Sequence, residues 1–505
     1  MSTKKLFSNS FFVIVARFAN ALTQVFSLPI LLKVFGKSDY GLIVIAMSLN
    51  TFIYILQMGF PMGVPKFVAE WLAKGDRKQL HAAIRTVSSF YLTIALISFL
   101  ILLAIALFGI DIFKVNADQL HTLQTLLIIT AVTSLLAIPA TVLNELLTGA
   151  QELGFISILE MVRNVLFAFL VAFVYFWPEI LSISVFYLLQ CILMFITIPL
   201  RLKRWKKYGS MIDLLPGWDF KATLPLIKYC LSLAVFSIFF LLSTRVQPII
   251  LGMRIPSNAG EALSNYQILD YIRTFLLMIG SSFMVSLIPH ITSASATGNQ
   301  FIYDKTIKQG TKYVWVFGAL IGFGLIMLSK EVLSIYVGPE YLHLETWMVV
   351  LVGATLYNFY SAAIASVILS SGKLVPLLFA TASGFLVLAL LCWFLVPYYG
   401  VGAYVLSTVA YNMVHLLVTH FWYLPRYFKV QPIRQIVHIM LPPVFAGIIM
   451  CLAGRFLINT IGCTNDYVKA LIGAICGSII YIAIIMIIYI RPKELHDLYC
   501  RIRKP

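Results

Sequence analysis

Arg17, Arg245 and Arg273 stand inside apolar stretches of this chain. An ionised side chain near the centre of a bilayer costs at least about 2.5 kcal/mol on insertion scales, so each needs a reason to be there. Arg17 is followed by Asn20 and Gln24, at i, i+3 and i+7, which puts all three on one face of a helix. Asn50, Tyr54 and Gln57 repeat the pattern in the next apolar stretch. Arg245 lies in the run Ser243-Thr244-Arg245-Val246-Gln247-Pro248, and Asp270 precedes Arg273 by three residues. Three guanidinium groups against one carboxylate leave the set net positive, which favours an anion. The planar fork of a guanidinium donates two parallel hydrogen bonds, a match for phosphate oxygens. The chemistry open to these residues is therefore the holding of a phosphate-bearing anion. Arg17, Arg245 and Arg273 would be the charged contacts, with Asn20, Gln24, Asn50 and Gln57 as neutral ones. Several have a plainer alternative. Arg17 can snorkel to an interface, Arg273 can pair with Asp270 one turn away, and Asn50 and Gln57 can bond between helices. Asp270 is a candidate either for ion coupling or for that charge pairing.

The elements that position these residues must be membrane-spanning helices. The chain has 505 residues, of which 61% are hydrophobic and 11% charged. A soluble protein carries about 25% charged residues; this chain cannot build a wettable surface, so lipid is its solvent. Hydrophobic segments fall near 8–32, 41–64, 87–110, 122–147, 156–177, 180–200, 223–252, 264–289, 312–337, 345–370, 374–397, 401–424, 434–458 and 467–490. They are too long for strands, and a lipid-facing barrel would alternate polar and apolar residues. The fold class expected is all-α integral membrane, with about 14 transmembrane helices. Lys4 and Lys5 precede the first segment, but no small-residue cleavage site follows, so that segment reads as a helix rather than a signal peptide. With the N-terminus cytoplasmic, about 27 of the 37 Lys and Arg fall on cytoplasmic segments and about 7 outside. That asymmetry supports an even number of spans and places both termini inside.

Two halves are legible. Leu28-Pro29-Ile30-Leu31 resembles Gln247-Pro248-Ile249-Ile250. Pro65 before Ala73-Lys74-Gly75-Asp76 resembles Pro289 before Ala296-Thr297-Gly298-Asn299. Leu147-Thr148-Gly149-Ala150 resembles Leu369-Ser370-Ser371-Gly372. A shared offset of roughly 220 residues is what a duplicated unit produces. Six spans separate equivalent points, so the halves share one orientation, as parallel repeats do. The expected organisation is a six-helix bundle over 1–200, a basic flexible cytoplasmic linker over 201–221, and a pseudo-symmetric six-helix bundle over 222–424. Two further helices and a basic tail occupy 425–505. Two bundles that rock about a central site have the geometry of alternating access.

Other features narrow the function by exclusion. The net charge of +17 lies between apolar spans rather than on a folded basic face, which speaks for membrane topology and against nucleic acid. Seven cysteines, with no Cys-x-x-Cys, indicate neither a disulfide framework nor a metal site. No nucleotide-binding Gly-x-x-x-x-Gly-Lys-[Ser/Thr] loop, His-Glu-x-x-His or Gly-x-Ser-x-Gly occurs; no catalytic residues or cofactor are assigned, and an enzyme is not expected. Glu145 with Asn144, and Glu160 with Arg163 and Asn164, flank the turn between the fourth and fifth spans and read as solvated or paired near the cytoplasmic surface. His415 and His420 read as packing residues of the twelfth span. Pro61, Pro65 and Pro289 sit where the second and eighth spans end and read as terminators or hinges.

The N-terminal block resembles the Wzx-type polysaccharide flippases of the multidrug/oligosaccharidyl-lipid/polysaccharide (MOP) exporter superfamily. The residues that carry the resemblance are Leu28-Pro29-Ile30-Leu31-Leu32-Lys33-Val34-Phe35-Gly36-Lys37-Ser38-Asp39-Tyr40-Gly41, Gly59-Phe60-Pro61 through Pro65-Lys66-Phe67-Val68-Ala69-Glu70, Gly75-Asp76, and Leu147-Thr148-Gly149-Ala150-Gln151-Glu152. The resemblance implies two six-helix bundles and a cationic central cavity. It also implies export of undecaprenyl-diphosphate-linked oligosaccharides, such as O-antigen units, across the bacterial inner membrane, with polysaccharide polymerase and glycosyltransferases as functional partners. Related lipid II flippases keep arginines on the corresponding first and eighth helices, where Arg17 and Arg273 stand here by position. Many members carry an Asp in the stretch that is Ser243-Thr244-Arg245-Val246-Gln247 here, so no cation-coupling role carries over at that point. H+ and Na+ are both candidates for a coupling ion. The competing readings are a lipid II flippase, a multidrug or cation antiporter, whose cavity should be acidic, and a membrane scaffold that does not transport.

Overall fold

In the computed structural model of the chain, residues 3–57, 59–210, 214–256, 258–296, 306–371, 375–428, 431–461 and 465–489 are described. Every element among them is helical: α1 (Thr3–Phe35), α2 (Lys37–Ile53), α3 (Phe60–Lys74), α4 (Arg77–Phe108), α5 (Leu120–Gly149), α6 (Leu153–Phe176), α7 (Ile183–Leu193), α8 (Ile198–Trp205), α9 (Phe220–Arg254) and α10 (Ala259–Ala296). Then follow α11 (Thr311–Met327), α12 (Ser329–Tyr336), α13 (Glu345–Ser371), α14 (Val375–Tyr399), α15 (Val401–Leu416), α16 (Leu424–Phe428), α17 (Pro432–Gln435), α18 (Leu441–Ile461) and α19 (Asp466–Ile488). Short 3-10 and π-helical turns join several of them. A helix meets all its backbone hydrogen bonds within itself, the condition for crossing hydrocarbon.

Eleven segments among the described residues are long and apolar enough to cross a membrane, and each coincides with an expected span. The other three expected spans, near 41–64, 223–252 and 264–289, fall on α2–α3, α9 and α10. α9 has 35 residues and α10 has 38. At 1.5 Å per residue each is over about 50 Å long, ample for ~30 Å of hydrocarbon. Large apolar side chains stand fully exposed on the outer faces, Phe108 at 86% and Ile487 at 83%, as lipid-facing residues must. The protein is an all-α, multi-pass membrane protein.

The second span departs from expectation. It is broken rather than terminated by its prolines. α2 stops at Ile53, a 3-10 turn covers Tyr54–Gln57, and Gly59 takes a left-handed conformation with φ 74°. Pro61 then sits in the first turn of α3, where its missing N–H costs nothing, and α3 runs through Pro65 to Lys74. α10 likewise continues past position 289 to Ala296.

By their contacts the residues form two compact units, Met1–Ile268 with Phe385–Tyr404, and Leu269–Gly384 with Val405–Pro505. α8 and α9, on either side of the 201–221 segment, belong to the first unit. In that unit two sets of turns are fastened at opposite ends of the helices. At one end, Ser38 donates to Gln119 Oε1 (3.0 Å) and accepts from Asn258 Nδ2 (2.6 Å), Gln119 donates to Asp39, and Ser264 donates to the Lys37 carbonyl. At the other end, expected to be cytoplasmic, Gly75 closes α3 and the Asp76 carboxylate caps α4 by accepting from the Gln79 N–H (3.1 Å). There the buried Glu152 accepts from Arg204 Nη2 (2.8 Å) and from the Tyr208 hydroxyl. Burial, then the hydrogen bond to Glu152 and its charge, push that phenol up to about 12. The Gly217 N–H donates to Ser89 Oγ (2.6 Å) and the Asp219 N–H to Thr86 Oγ1 (3.1 Å). The described residues of the expected flexible linker are thus pinned to α4 and to the α5–α6 turn.

Ser38 and Asn258, 220 positions apart, are hydrogen-bonded. A Cβ built on Gly41 would lie 1.8 Å from the carbonyl oxygen of Gly260, and one on Gly260 would lie 2.3 Å from that of Ser38. Only glycine lets α2 and α10 cross this closely. Gly41→Ala is expected to cost about 1–3 kcal/mol through overpacking, read as a lower thermal-unfolding midpoint in detergent. Gly353→Ala, with no atom within 4 Å of the added methyl, should leave the midpoint unchanged or raised.

Candidate functional site

The candidate residues divide between the two units. In the first, α1 is continuous through Arg17, Asn20 and Gln24, so the three share one face as their spacing requires. Arg17 is exposed. Gln24 Nε2 donates to Asn20 Oδ1 at 3.2 Å, so these two are brought together. Asn50 is half-buried near the end of α2. Gln57 is the last residue of the 3-10 turn at the break; it is 4% exposed and its Nε2 has no hydrogen-bond partner. The side chains of Tyr54 and Thr244 lie outside the described ones. On α9, Arg245 is exposed while Gln247 is buried and donates to the Tyr404 carbonyl at 3.3 Å. No carboxylate of a described residue forms an ion pair with Arg17 or Arg245.

In the second unit, Arg273 Nε donates to Asp270 Oδ1 at 3.1 Å, and both side chains are largely buried. The i, i+3 spacing has produced the charge pair it allows. This pairing neutralises one arginine and the one in-span carboxylate of the set together. The positive character that is left rests on Arg17 and Arg245 in the first unit.

The second unit also contains a charged cluster that the sequence reading does not assemble. Arg455 on α18 donates from Nη1 to both oxygens of Glu331 (3.1 and 3.2 Å), and from Nη2 to Glu345 (3.3 Å) and Ser329 Oγ (3.2 Å). Lys330, Asn459 and Lys469 complete the lining. A planar guanidinium shared by two carboxylates and a hydroxyl ties α12, α13 and α18 at one end of the helices. The position of Arg455 just inside an apolar run next to an acidic loop was the available signal.

Buried polar groups elsewhere correct two expectations. Glu145 is not solvated: it is 6% exposed and accepts a hydrogen bond from Tyr91 on α4. Asn164 is also buried, with its Nδ2 unpartnered. The packing role expected of the histidines holds for His420, which is fully buried and stacked on Tyr360 at 5.0 Å, in a π-helical turn over Leu417–Tyr423. His415 lies 4.7 Å from the Tyr411 ring. No group of three or more His, Cys, Asp or Glu able to hold a metal occurs among the described residues.

An all-helical, multi-pass fold with arginines inside its spans defines a class: polytopic membrane carriers. Residues 6–295, more than half of the chain, match the polysaccharide biosynthesis protein family, and the chain belongs to that family. It is similar to the lipid II flippase MurJ of Bacillus subtilis (strain 168), 23% identical over 348 residues. That match covers 61% of this chain and 60% of the relative's length. Among solved structures, it resembles lipid II flippase MurJ in an inward closed conformation, with a TM-score of 0.70 and 15% identity over 95% of this chain and 98% of that one. A multidrug resistance MATE family transporter of the MOP superfamily, in an inward-facing conformation, gives a TM-score of 0.64 at 12% identity, over 82% of this chain and 99% of that one. A MOP superfamily transporter from Pyrococcus furiosus, described as having a binding pocket of reverse polarity, gives 0.56 at 12% identity, over 85% and 97%. At these identities the structural likeness establishes the fold: that of the MOP transporters.

The Arg455 cluster yields a direct test. Arg455→Met strands Glu331, which is 5% exposed. The loss of hydrogen bonds to charged groups is worth about 1.5–3 kcal/mol, and it should appear as a lower unfolding midpoint in detergent. Arg455→Lys should recover part of it, since one ammonium cannot reach all three partners at once.

Proposed function

We propose that this protein is a flippase of the bacterial inner membrane, with both termini cytoplasmic. It carries undecaprenyl-diphosphate-linked oligosaccharide units from the cytoplasmic to the periplasmic leaflet by alternating access, for the synthesis of a surface polysaccharide such as O-antigen. Membership of the polysaccharide biosynthesis family supports the substrate class. The observation that carries the reading is the unbalanced positive charge of Arg17 and Arg245, set on membrane helices with no carboxylate opposite them among the described residues.

A sugar diphosphate cannot cross hydrocarbon unaided, because its charge would lose its water. Arginine donors replace that water, while the polyprenyl chain stays in the bilayer. Arg17 with Asn20 and Gln24, Asn50 with Gln57, and Arg245 would then supply those donors in the first unit, and Arg273 held by Asp270 in the second. An inside-negative potential contributes about 2.3 kcal/mol per charge per 100 mV towards moving the anion outward. Glycosyltransferases would supply the substrate and a polymerase would consume it.

A lipid II flippase is the second reading, favoured by the 23% identity to MurJ. Its substrate has the same polyprenyl-diphosphate chemistry and differs in the sugar. A cation antiporter is disfavoured by the same charge imbalance.

Full-length protein in liposomes, given a fluorescent polyprenyl-diphosphate oligosaccharide and a membrane-impermeant quencher, tests the proposal. Arg17→Ala and Arg245→Ala should each slow flipping about 10- to 100-fold, the equivalent of one lost charge-assisted hydrogen bond of about 1.5–3 kcal/mol. Lysine at either position should give an intermediate rate. Unchanged rates in both alanine variants would overturn the reading, and preference for a lipid II analogue over other lipid-linked sugars would select the second.

A further inference from the structure

One ionisable group inside the first unit takes no part in the anion site. Glu145 lies on α5, one turn from its end at Gly149. Its Oε1 accepts from the Tyr91 phenol, and its Oε2 is buried with no hydrogen-bond partner. No Lys, Arg or His among the described residues pairs with it. The titratable groups that bear on it from neighbouring helices are Tyr91 of α4 and Cys230 of α9, both fully buried. Charged groups on the other helices packed around α5 are engaged elsewhere. Asp39 of α2 is bonded to Gln119. On α3, Lys66 lies 3.8 Å over the Tyr229 ring and Glu70 pairs with Lys74 at 2.5 Å. Arg85 of α4 donates to the Pro216 carbonyl at 3.4 Å. Arg204 of α8 is bonded to Glu152, and Arg201 lies by Arg163 and Glu160.

A carboxylate with one neutral hydrogen bond and no cation is not sustained in a dry interior; the group takes a proton and becomes neutral. A bound metal cation would need several oxygen ligands, and the neighbours here are one phenol, one thiol and apolar side chains. The surroundings therefore fit a proton. They also include the start of a half-helix. Tyr91 packs edge-on to Phe60 (6.3 Å), and Phe60 stacks on Phe90 (4.0 Å). Phe60 is the first residue of α3 after the break at 54–59. Cys230 packs against Gly63 one turn further on, where a Cβ would lie 2.3 Å from its Sγ. The two titratable side chains that flank the carboxyl are thus packed against the half-helix that begins at the break, and broken helices are where membrane carriers place ion sites.

We propose that Glu145 is a proton-carrying site of this transporter. The carboxyl holds a proton while α3 covers it. When α3 swings about the break, the Oε2–H bond is opened to water and the proton leaves to that side. It is replaced from the other side when the cycle reverses, which couples proton flow to transport. The coupling rests on the flippase reading; the protonated, buried carboxyl does not.

The test has two arms on the full-length protein in liposomes. Infrared spectra at pH 7 should show the C=O band of a protonated carboxyl that is missing from Glu145→Gln. The two proteins should unfold at similar temperatures, since a neutral amide replaces a neutral acid of the same shape. In the flipping assay an imposed pH gradient should speed the native protein several-fold and leave Glu145→Gln unaffected, and nigericin should abolish the difference. Absence of the Glu145-dependent band, or an equal response of both proteins to the gradient, would overturn the proposal. If the native protein flips no lipid-linked sugar at all, the flippase reading fails, and the infrared arm still decides the state of the carboxyl.

Discussion

The structure depends on one constraint: in hydrocarbon, a polar group must find its partner within the chain. Helices meet it for the backbone. Hydroxyls meet it by bonding back along their own helix, as Thr130 does to the Leu126 carbonyl (2.8 Å) and Thr355 to that of Leu351 (2.7 Å). Larger polar side chains cannot turn back so easily, and most of them gather where turns from several helices meet. Ser38, Gln119 and Asn258 do so at one end of the first unit, and Glu152, Arg204 and Tyr208 at the other. Arg455 with Glu331 and Glu345 does the same in the second unit. Gln57 Nε2 and Glu145 Oε2 are among the buried polar atoms that find no such partner.

The segments that carry the family resemblance are fastenings. In Gly36-Lys37-Ser38-Asp39-Tyr40-Gly41, Ser38 and Asp39 hold the 119 turn and the α9–α10 turn, and Gly41 makes the close crossing with Gly260. Gly75-Asp76 ends one helix and caps the next. Leu147 to Glu152 packs α5 on α3 through Gly149 and supplies the carboxylate that anchors Arg204. Such segments specify how helices are joined, which every carrier of this fold must solve whatever it carries. They therefore identify the family and are silent on the sugar.

The spans and the shared face of Arg17, Asn20 and Gln24 were legible in the sequence because both follow from local rules: helical periodicity and the cost of charge in lipid. The break in the second span was not, since the run from Ile53 to Val64 is apolar but for Tyr54 and Gln57 and Gly59 marks the place where the chain turns left-handed. Glu145 was misplaced for a different reason. Its distance from the helix end suggested water, but α3, α4 and α9 cover it, and that covering is tertiary. The Arg455 cluster was not legible because its three partners come from two helices more than a hundred residues away in sequence.

The Asp270–Arg273 pair bears on the sign of the transported species. Taken as isolated residues, three arginines and one aspartate give a net charge of plus two. Pairing removes one of each sign, so the net charge is unchanged, but its distribution is not. Asp270, the one carboxylate of this set, is already held at 3.1 Å by Arg273, while Arg17 and Arg245 form no ion pair with a carboxylate of a described residue. A carrier of organic cations needs the opposite arrangement, with carboxylates left open and any arginines neutralised. The placement of the charges, more than their number, is therefore what favours an anionic head group on the lipid that this chain moves.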